Sequence, residues 1–372
     1  MLTSLLGIRL LLWAGKTIPT PVPAELLQAI TRIEITNDSE ADDGFQMSFS
    51  LSKQKTGEFD AIQAGTLDPD SRVVVGVVMG ATPEPLIDGV IFHHQLAPGQ
   101  QPGSATLTVS GRDMRVMLDL NEKNAPFKNQ PDSLIALQIL GNYAKYGLVP
   151  QVTPTTNIPI ELQLVPRQHE TDLEFLRRMA RRNGFVFYLE PLTIGTSLAY
   201  WGPPQRTGLP QPALNHNLGA ASNLQELHFT HDALSPEGAQ GSFLEPISKS
   251  SISIPPLPSL RVPPLAMRPT SPRRTRLMRN TSNRNPAQAA TDLLARISST
   301  PDSVTGTGTL DSVRYGQVLR PRRLVGLRGA GLSHDGTYYV SQVKTILTRS
   351  SCIQHFTLKR EGTGALLPVV RP

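Results

Sequence analysis

Residues 168–190 run Gln-His-Glu-Thr-Asp-Leu-Glu-Phe-Leu-Arg-Arg-Met-Ala-Arg-Arg-Asn-Gly-Phe-Val-Phe-Tyr-Leu-Glu and spell a capped helix, a stop and a strand. Thr171 is a favourable N-cap, with Glu174 three residues on to complete a capping box. Asp172 and Glu174 put negative charge in the first turn, where the helix dipole favours it. Leu173, Leu176, Met179 and Ala180 recur at three- and four-residue spacing and form one apolar stripe. Arg177, Arg178, Arg181 and Arg182 lie toward the C-terminal end, the favourable end for cations. Asn183 and Gly184 end the helix, since glycine accepts the left-handed backbone of a C-cap. Phe185 to Leu189 follow as a strand rich in β-formers.

Outward from this cassette the chain turns to β-structure. It has 372 residues, too many for one ordinary core, and its 33 Pro and 29 Gly demand many turns. Ile33–Ile35, Phe45–Leu51, Arg72–Met79, Leu86–Gln95 and Ser104–Ser110 read as strands, preceded by a short helix over Ala24–Thr31. The acidic stretch Asn37–Gly44 joins the first two strands. It lacks the spacing of a calcium loop and reads as a solvated hairpin tip. Asp132 and Ser133 can cap a helix with Leu134, Leu137, Leu140 and Ala144 on its core face and Gly147 as its stop. Ile158–Leu164, Leu198–Trp201 and Leu224–Thr230 read as further strands.

The Pro246–Pro272 segment, with seven prolines between Pro255 and Pro272, excludes a continuous helix or a central strand and reads as an extended linker. A helix over Pro286–Ser298, capped by Asn285, opens the last part. Strands follow at Ser303–Leu310, Arg322–Leu327, Gly336–Leu347 and Ser351–Arg360, with Glu361 onward as a frayed tail. The fold class expected is mainly β with an α+β insertion: two antiparallel β-barrel domains plus a small α+β domain. We divide the chain into an N-terminal arm (1–30), a first β-barrel domain (31–125), the α+β insertion (126–222), a strand returning to the barrel region (223–245), a Pro/Arg-rich linker (246–284) and a second β-barrel domain (285–372).

The charge balance is +6, with the local excess between Arg268 and Arg284. That stretch is a solvated basic linker or a contact for an acidic partner. The low aromatic content, 5%, argues against stacking platforms for single-stranded nucleic acid. Cys352 is the sole cysteine, so no intrachain disulfide forms, and its strand-like surroundings make it a small core hydrophobe. The apolar residues from Met1 to Ala14 are too few for a bilayer span, which takes about 20. Arg9 interrupts the run, so it reads as a buried strand or partner-binding arm.

Catalytic patterns are weak. His228 and His231 are spaced for a metal on a helix, but Leu227 and Phe229 alternate like a strand, which sends the two histidines to opposite faces. His93 and His94 diverge in the same way. Gly326-Leu-Arg-Gly-Ala-Gly331 has the wrong order for a dinucleotide loop and reads as a glycine-rich hairpin. Asp113, Asp119 and Glu122 cluster loosely without forming an acid–base pair. We expect no catalytic, metal or cofactor-binding residues, and a role that is not enzymatic.

Three regions together resemble the phage late control D family, the central hubs of contractile tails. They are Glu170-Thr-Asp-Leu-Glu-Phe-Leu with Arg182-Asn-Gly-Phe, then Gly336-Thr-Tyr-Tyr-Val-Ser-Gln-Val with Gln354-His-Phe-Thr-Leu-Lys-Arg, and Leu86-Ile-Asp-Gly-Val-Ile with Ala105–Asp113. The resemblance covers about residues 30–360. It implies a homotrimeric structural baseplate hub whose two related barrels per chain make a pseudo-sixfold ring. Such a ring joins a sixfold tail-tube ring to a threefold spike. Its implied partners are the tube protein, a separate spike protein and other baseplate components, with no nucleic acid required and no direct membrane span. Assembly in the bacterial cytoplasm, within a phage tail or contractile injection particle, goes with that role. The alternatives are a nucleic-acid-associated phage protein using the Arg268–Arg284 segment, and a tail-tip cell-wall hydrolase. The Pro/Arg-rich linker has no counterpart in the family pattern.

Overall fold

A computed structural model describes residues 8–16, 18–51, 65–80, 82–99, 104–159, 165–244, 251–254, 263–277 and 286–366. The first part contains β1 (Ile8–Gly15), β2 (Thr20–Pro21), α1 (Ala24–Ala29), β3 (Ile30–Asp38), β4 (Gly44–Leu51), β5 (Arg72–Met79), β6 (Thr82–Ala97) and β7 (Ala105–Asp113). Then come β8 (Glu122–Pro126), α2 (Asp132–Gly141), β9 (Leu148–Val152), β10 (Arg167–Thr171), α3 (Asp172–Asn183), β11 (Val186–Thr193) and β12 (Thr196–Gly202). β13 (Gln211–Asn215), β14 (Leu224–His231), β15 (Glu237–Leu244), β16 (Ser251–Ile254), β17 (Ala266–Pro269), β18 (Arg274–Leu277) and α4 (Pro286–Ser298) follow. The last part holds β19 (Val304–Asp311), α5 (Ser312–Tyr315), β20 (Leu324–Arg328), β21 (Gly336–Thr348), β22 (Cys352–Arg360) and β23 (Gly362–Ala365).

One 13-stranded sheet runs through both β-halves, in the order β14-β19-β22-β21-β3-β4-β7-β6-β5-β1-β2, with β20 also on β21 and β13 on β20. The two expected barrels therefore share a seam, the antiparallel pairing of β21 with β3 from Gln342↔Asp38 to Thr348↔Arg32. Each half wraps its own core. The first holds Ile33, Ile35, Met47, Phe49, Val75, Ile91, Leu107 and Val109. The second holds Leu214, Val304, Leu310, Val325, Val340, Val343, Phe356 and Leu358. β4 shows the cause: Phe45, Met47, Phe49 and Leu51 are buried and alternate with Gln46, Ser48 and Ser50. Gly111 on β7 leaves room for Phe45, whose ring a Cβ there would meet at 2.2 Å.

The two halves repeat one topology. In the first, β3-β4-β7-β6-β5 lie side by side; in the second, β14-β19-β22-β21-β20 do. In chain order each is a first, second, fifth, fourth and third strand. The irregularities repeat too. The first pair of each unit is broken by one bulge, at Thr31 between Ile30 and Arg32, and at Gln225 between Leu224 and Glu226. The long fourth strand bulges at Phe92 in one unit and Ser341 in the other. A bulge inserts a residue and restores the inward face. It lets Ile30 and Ile33, three apart, both enter the core.

The insertion packs α2, α3 and a 3-10 turn at Met114–Leu118 against β9, β11 and β12. Its cassette forms as read. Thr171 caps α3, its Oγ1 accepting from Glu174 N at 3.3 Å, and Gly184 ends it at φ 67°. Trp201, fully buried, donates from Nε1 to Leu176 O at 3.1 Å.

Several expectations are corrected. In α2 the buried residues are Ile135, Ala136, Ile139 and Leu140, while Leu134 and Leu137 are exposed. Apolar residues run round most of this helix, so spacing alone could not choose the buried face. Ile158 and Pro159 are not in a strand; residues 160–164 lie outside the described residues. The Pro/Arg-rich linker, 246–284, contributes three short strands: β16 and β18 flank β15, and β17 pairs with β23. Its prolines Pro255, Pro256 and Pro258, and the cap Asn285, lie outside the described residues. β1, read as a buried strand or a partner-binding arm, pairs with β5 along its whole length and sends Leu12 and Ala14 into the first core. The tail from Glu361 is not frayed as far as residue 365. Glu361 Oε1 accepts from Ala266 N at 2.7 Å and from Leu265 N, and β23 pairs with β17.

Candidate functional site

The acidic stretch between β3 and β4 keeps Glu40 and Ala41 exposed at its tip, as expected, but its base is a buried joint. Asp43 is 2% exposed. Its Oδ1 accepts from Asp38 N at 2.9 Å and from Arg322 at 2.6 Å. Its Oδ2 accepts from Asn37 Nδ2 at 3.2 Å. Arg115 stands 3.4 Å from it and donates from Nε to Asp113 at 2.6 Å. Arg322, 4% exposed, also donates to Asp38 O and to Leu189 O, with its guanidinium 4.5 Å above the Tyr188 ring. Buried charges persist only when paired and hydrogen-bonded, and these are paired, with Arg322 Nε the one guanidinium nitrogen of the joint left without a hydrogen bond.

The joint ties three parts of the fold. Asp38, Asp43 and Asp113 come from the first β-half, Arg322 from the second, and Tyr188 and Leu189 from the insertion. Around it Arg177 of α3 pairs with Asp42, Lys359 of β22 with Glu40 at 2.6 Å, and Gln342 of β21 donates to Asp38 at 2.7 Å. Arg322 reaches the joint from a left-handed backbone, φ 63°, a conformation that costs an L-residue about 1–2 kcal/mol. Burial pushes the Asp113 carboxyl up to about 6, with Asp43's charge adding to the rise against the pull of Arg115. Burial alone would lower Arg115, but Asp113, Asp43 and Asp42 outweigh it and hold that guanidinium firmly charged.

Beside the joint lies an open groove of about 1650 Å³, lined by α3, Arg206, Tyr339, Lys359 and the end of α4. Its arginines are largely answered by carboxylates: Arg178 by Glu170, Arg182 by Asp132, Arg206 by Asp302 and Arg276 by Glu237. The acids of the cassette are likewise structural. Asp172 is buried and accepts from Lys123, from Tyr143 Oη at 2.6 Å and from Gln168 at 2.8 Å. Asp172, Arg177, Arg178 and Arg182, read as helix-dipole complements, thus also bridge α3 to other elements, while Glu174 and Arg181 keep the first- and last-turn places the dipole favours.

Asp113, Asp119 and Glu122 do not converge. Asp113 belongs to the joint, Asp119 accepts from Thr171 Oγ1 at 2.7 Å, and Glu122 is exposed on β8. His228 and His231 stand on β14, His93 and His94 on β6, and no group of three metal-ligating side chains occurs among the described residues. The Cys352 thiol is buried and pushed up to about 11 by burial. Gly326–Gly331 turns from β20 toward β21 with no helix behind it. In the basic segment Arg268, Arg273, Arg274 and Arg276 are exposed, and residues 278–285 lie outside the described ones. No helix of the described residues is long and apolar enough to cross a membrane. Sequence reading missed Asp43, Arg115 and Arg322 as a unit, because 279 residues separate Asp43 from Arg322.

No protein-family model and no curated protein matches this sequence. Solved structures do match its fold. A tail protein from Neisseria meningitidis MC58 superposes with a TM-score of 0.62 at 16% identity, over 96% of this chain and 98% of that one. The 43 kDa tail protein of prophage MuSo2 from Shewanella oneidensis gives 0.58 at 16% identity, over 95% and 96%. An E. coli component of the type VI secretion system, described as similar in structure to T4 bacteriophage tail proteins, gives 0.56 at 13% identity, over 91% and 77%. The chain has the mainly β fold of phage tail and type VI spike-related proteins.

Proposed function

We propose that this protein is a structural baseplate hub of a phage tail or contractile injection machine, not an enzyme. Three copies form a ring that joins a sixfold tail tube to a threefold spike carried by a separate protein. One observation carries this reading: a single chain holds the same five-strand unit twice, with matching strand order and two matched bulges. Three such chains present six near-equivalent units on one side, while remaining three chains on the other. The buried joint supports the same role, since it clamps the two units and the insertion in one fixed relation. The fold likeness to tail proteins over nearly the whole chain agrees with it. Assembly in the bacterial cytoplasm as part of a particle follows from the role.

The test is assembly. Light scattering on the purified protein, alone and with its tube and spike partners, is expected to give three chains. Averaged electron micrographs should show a ring with a central channel. A chain that stays monomeric under both conditions would sink the hub reading.

A further inference from the structure

The seam inside the chain has a counterpart at its surface that carries no strand among the described residues. β21 pairs with β20 only up to Tyr339; beyond its bulge, its edge from Gln342 to Thr348 takes β3. β6 is the same strand of the first unit. Its backbone bonds on the β5 side end at Ile91, which exchanges bonds with Ser71 and Asp70; beyond its bulge the His94 ring meets Leu67 O, but among the described residues no strand lies on that edge from His93 to Ala97. β14 is the counterpart of β3. It pairs with β19 alone and ends the sheet, so its other edge is free among the described residues. Each chain thus carries a socket edge on β6 and a plug edge on β14, and the chain itself shows how such edges join.

We infer that β6 of one copy pairs with β14 of the next, antiparallel, as β21 pairs with β3 within one copy. The matched bulges set the register. Phe92 stands where Ser341 does, and Gln225 where Thr31 does. Carried across, the internal pairs Gln342↔Asp38 to Ile346↔Glu34 become His93↔Asp232, His94↔His231, Gln95↔Thr230, Leu96↔Phe229 and Ala97↔His228. Burial agrees. At the internal seam Ser341 and Thr345 are 3% and 2% exposed, while their counterparts Phe92 and Leu96 are 48% and 39% exposed. An unpaired edge bearing two large exposed apolar side chains is a template for another strand. Because socket and plug differ, the contact is head-to-tail, and such contacts close into rings when the rotation permits. That the ring closes at three copies rests on the hub reading above; the pairing itself does not.

Paired cysteines test the register. A variant carrying Gln95→Cys and Thr230→Cys is expected to form covalent multimers under mild oxidation, reversed by reductant. Either single variant, with buried Cys352 as the common background, should not. Gln95→Cys with His231→Cys places the second thiol on the opposite face and should cross-link far less. Leu96→Pro removes an edge amide, since its counterpart Thr345 is one of the residues that face β3, and should abolish assembly, with circular dichroism confirming a folded chain. Assembled protein that fails to cross-link in register, or that cross-links equally out of register, overturns the pairing and leaves the trimer reading standing. A ladder that runs past three chains upholds the pairing and overturns the threefold ring. A chain that stays monomeric and uncross-linked overturns both.

Discussion

At the residue scale, Arg322 and Asp43 show how a charge becomes architecture. Each is nearly removed from water, and Arg322 donates to Asp43 Oδ1 at 2.6 Å. Removing one partner of such a pair leaves the other buried and unanswered, which costs far more than the pair contributes net. Arg322→Ala is therefore expected to lower stability by about 3–5 kcal/mol in chemical denaturation. A loss below about 1 kcal/mol, the value of a surface pair, would show that the joint is not structural. This site was not legible in the sequence. Asn37–Gly44 is as acidic as any solvated turn, and nothing local to Pro321-Arg322-Arg323 announces an arginine destined for a partner on the first hairpin. Cys352 was legible, because a lone cysteine in a strand-like run has few other places to go.

At the scale of elements, local chemistry predicted much. Thr171, the apolar stripe of α3 and Gly184 carry their own instructions, since capping and amphipathic spacing act within one helix. Gly184 is doubly constrained. Its φ is positive, and a Cβ there would meet Ala295 Cα of α4 at 2.9 Å. Gly184→Ala is expected to cost about 1–2 kcal/mol from the backbone alone, and more if α4 cannot retreat. Thermal melts of the variant would show this as a lowered midpoint; an unchanged midpoint would mean that the helix end readily reshapes. α2 marks the limit of such reading. Its apolar residues occupy most of its circumference, and only the placement of β9 and α3 selects Ile135 and Ile139 over Leu134 and Leu137. The proline-rich segment marks another. Its prolines do forbid a long strand, but four-residue strands fit between them, and β17 accepts Pro269 at its end.

At the scale of the molecule, the seam and the joint make one body of two units. Leu347 and Cys352, from the second unit, pack into the first core, so neither unit can open without exposing the other. Unfolding followed by near- and far-ultraviolet circular dichroism is expected to give one coincident transition. Two separated transitions would show that the seam does not couple the halves. The sequence by itself determined the β-rich class, the capped helix of the insertion, most strands and the resemblance to tail hubs, because those signals act over a few residues at a time. The tertiary structure alone decided the duplicated topology, the buried joint and the two unmatched strand edges. Those features are pairings between residues hundreds of positions apart, and the two units share a register and a pattern of bulges that no local periodicity records.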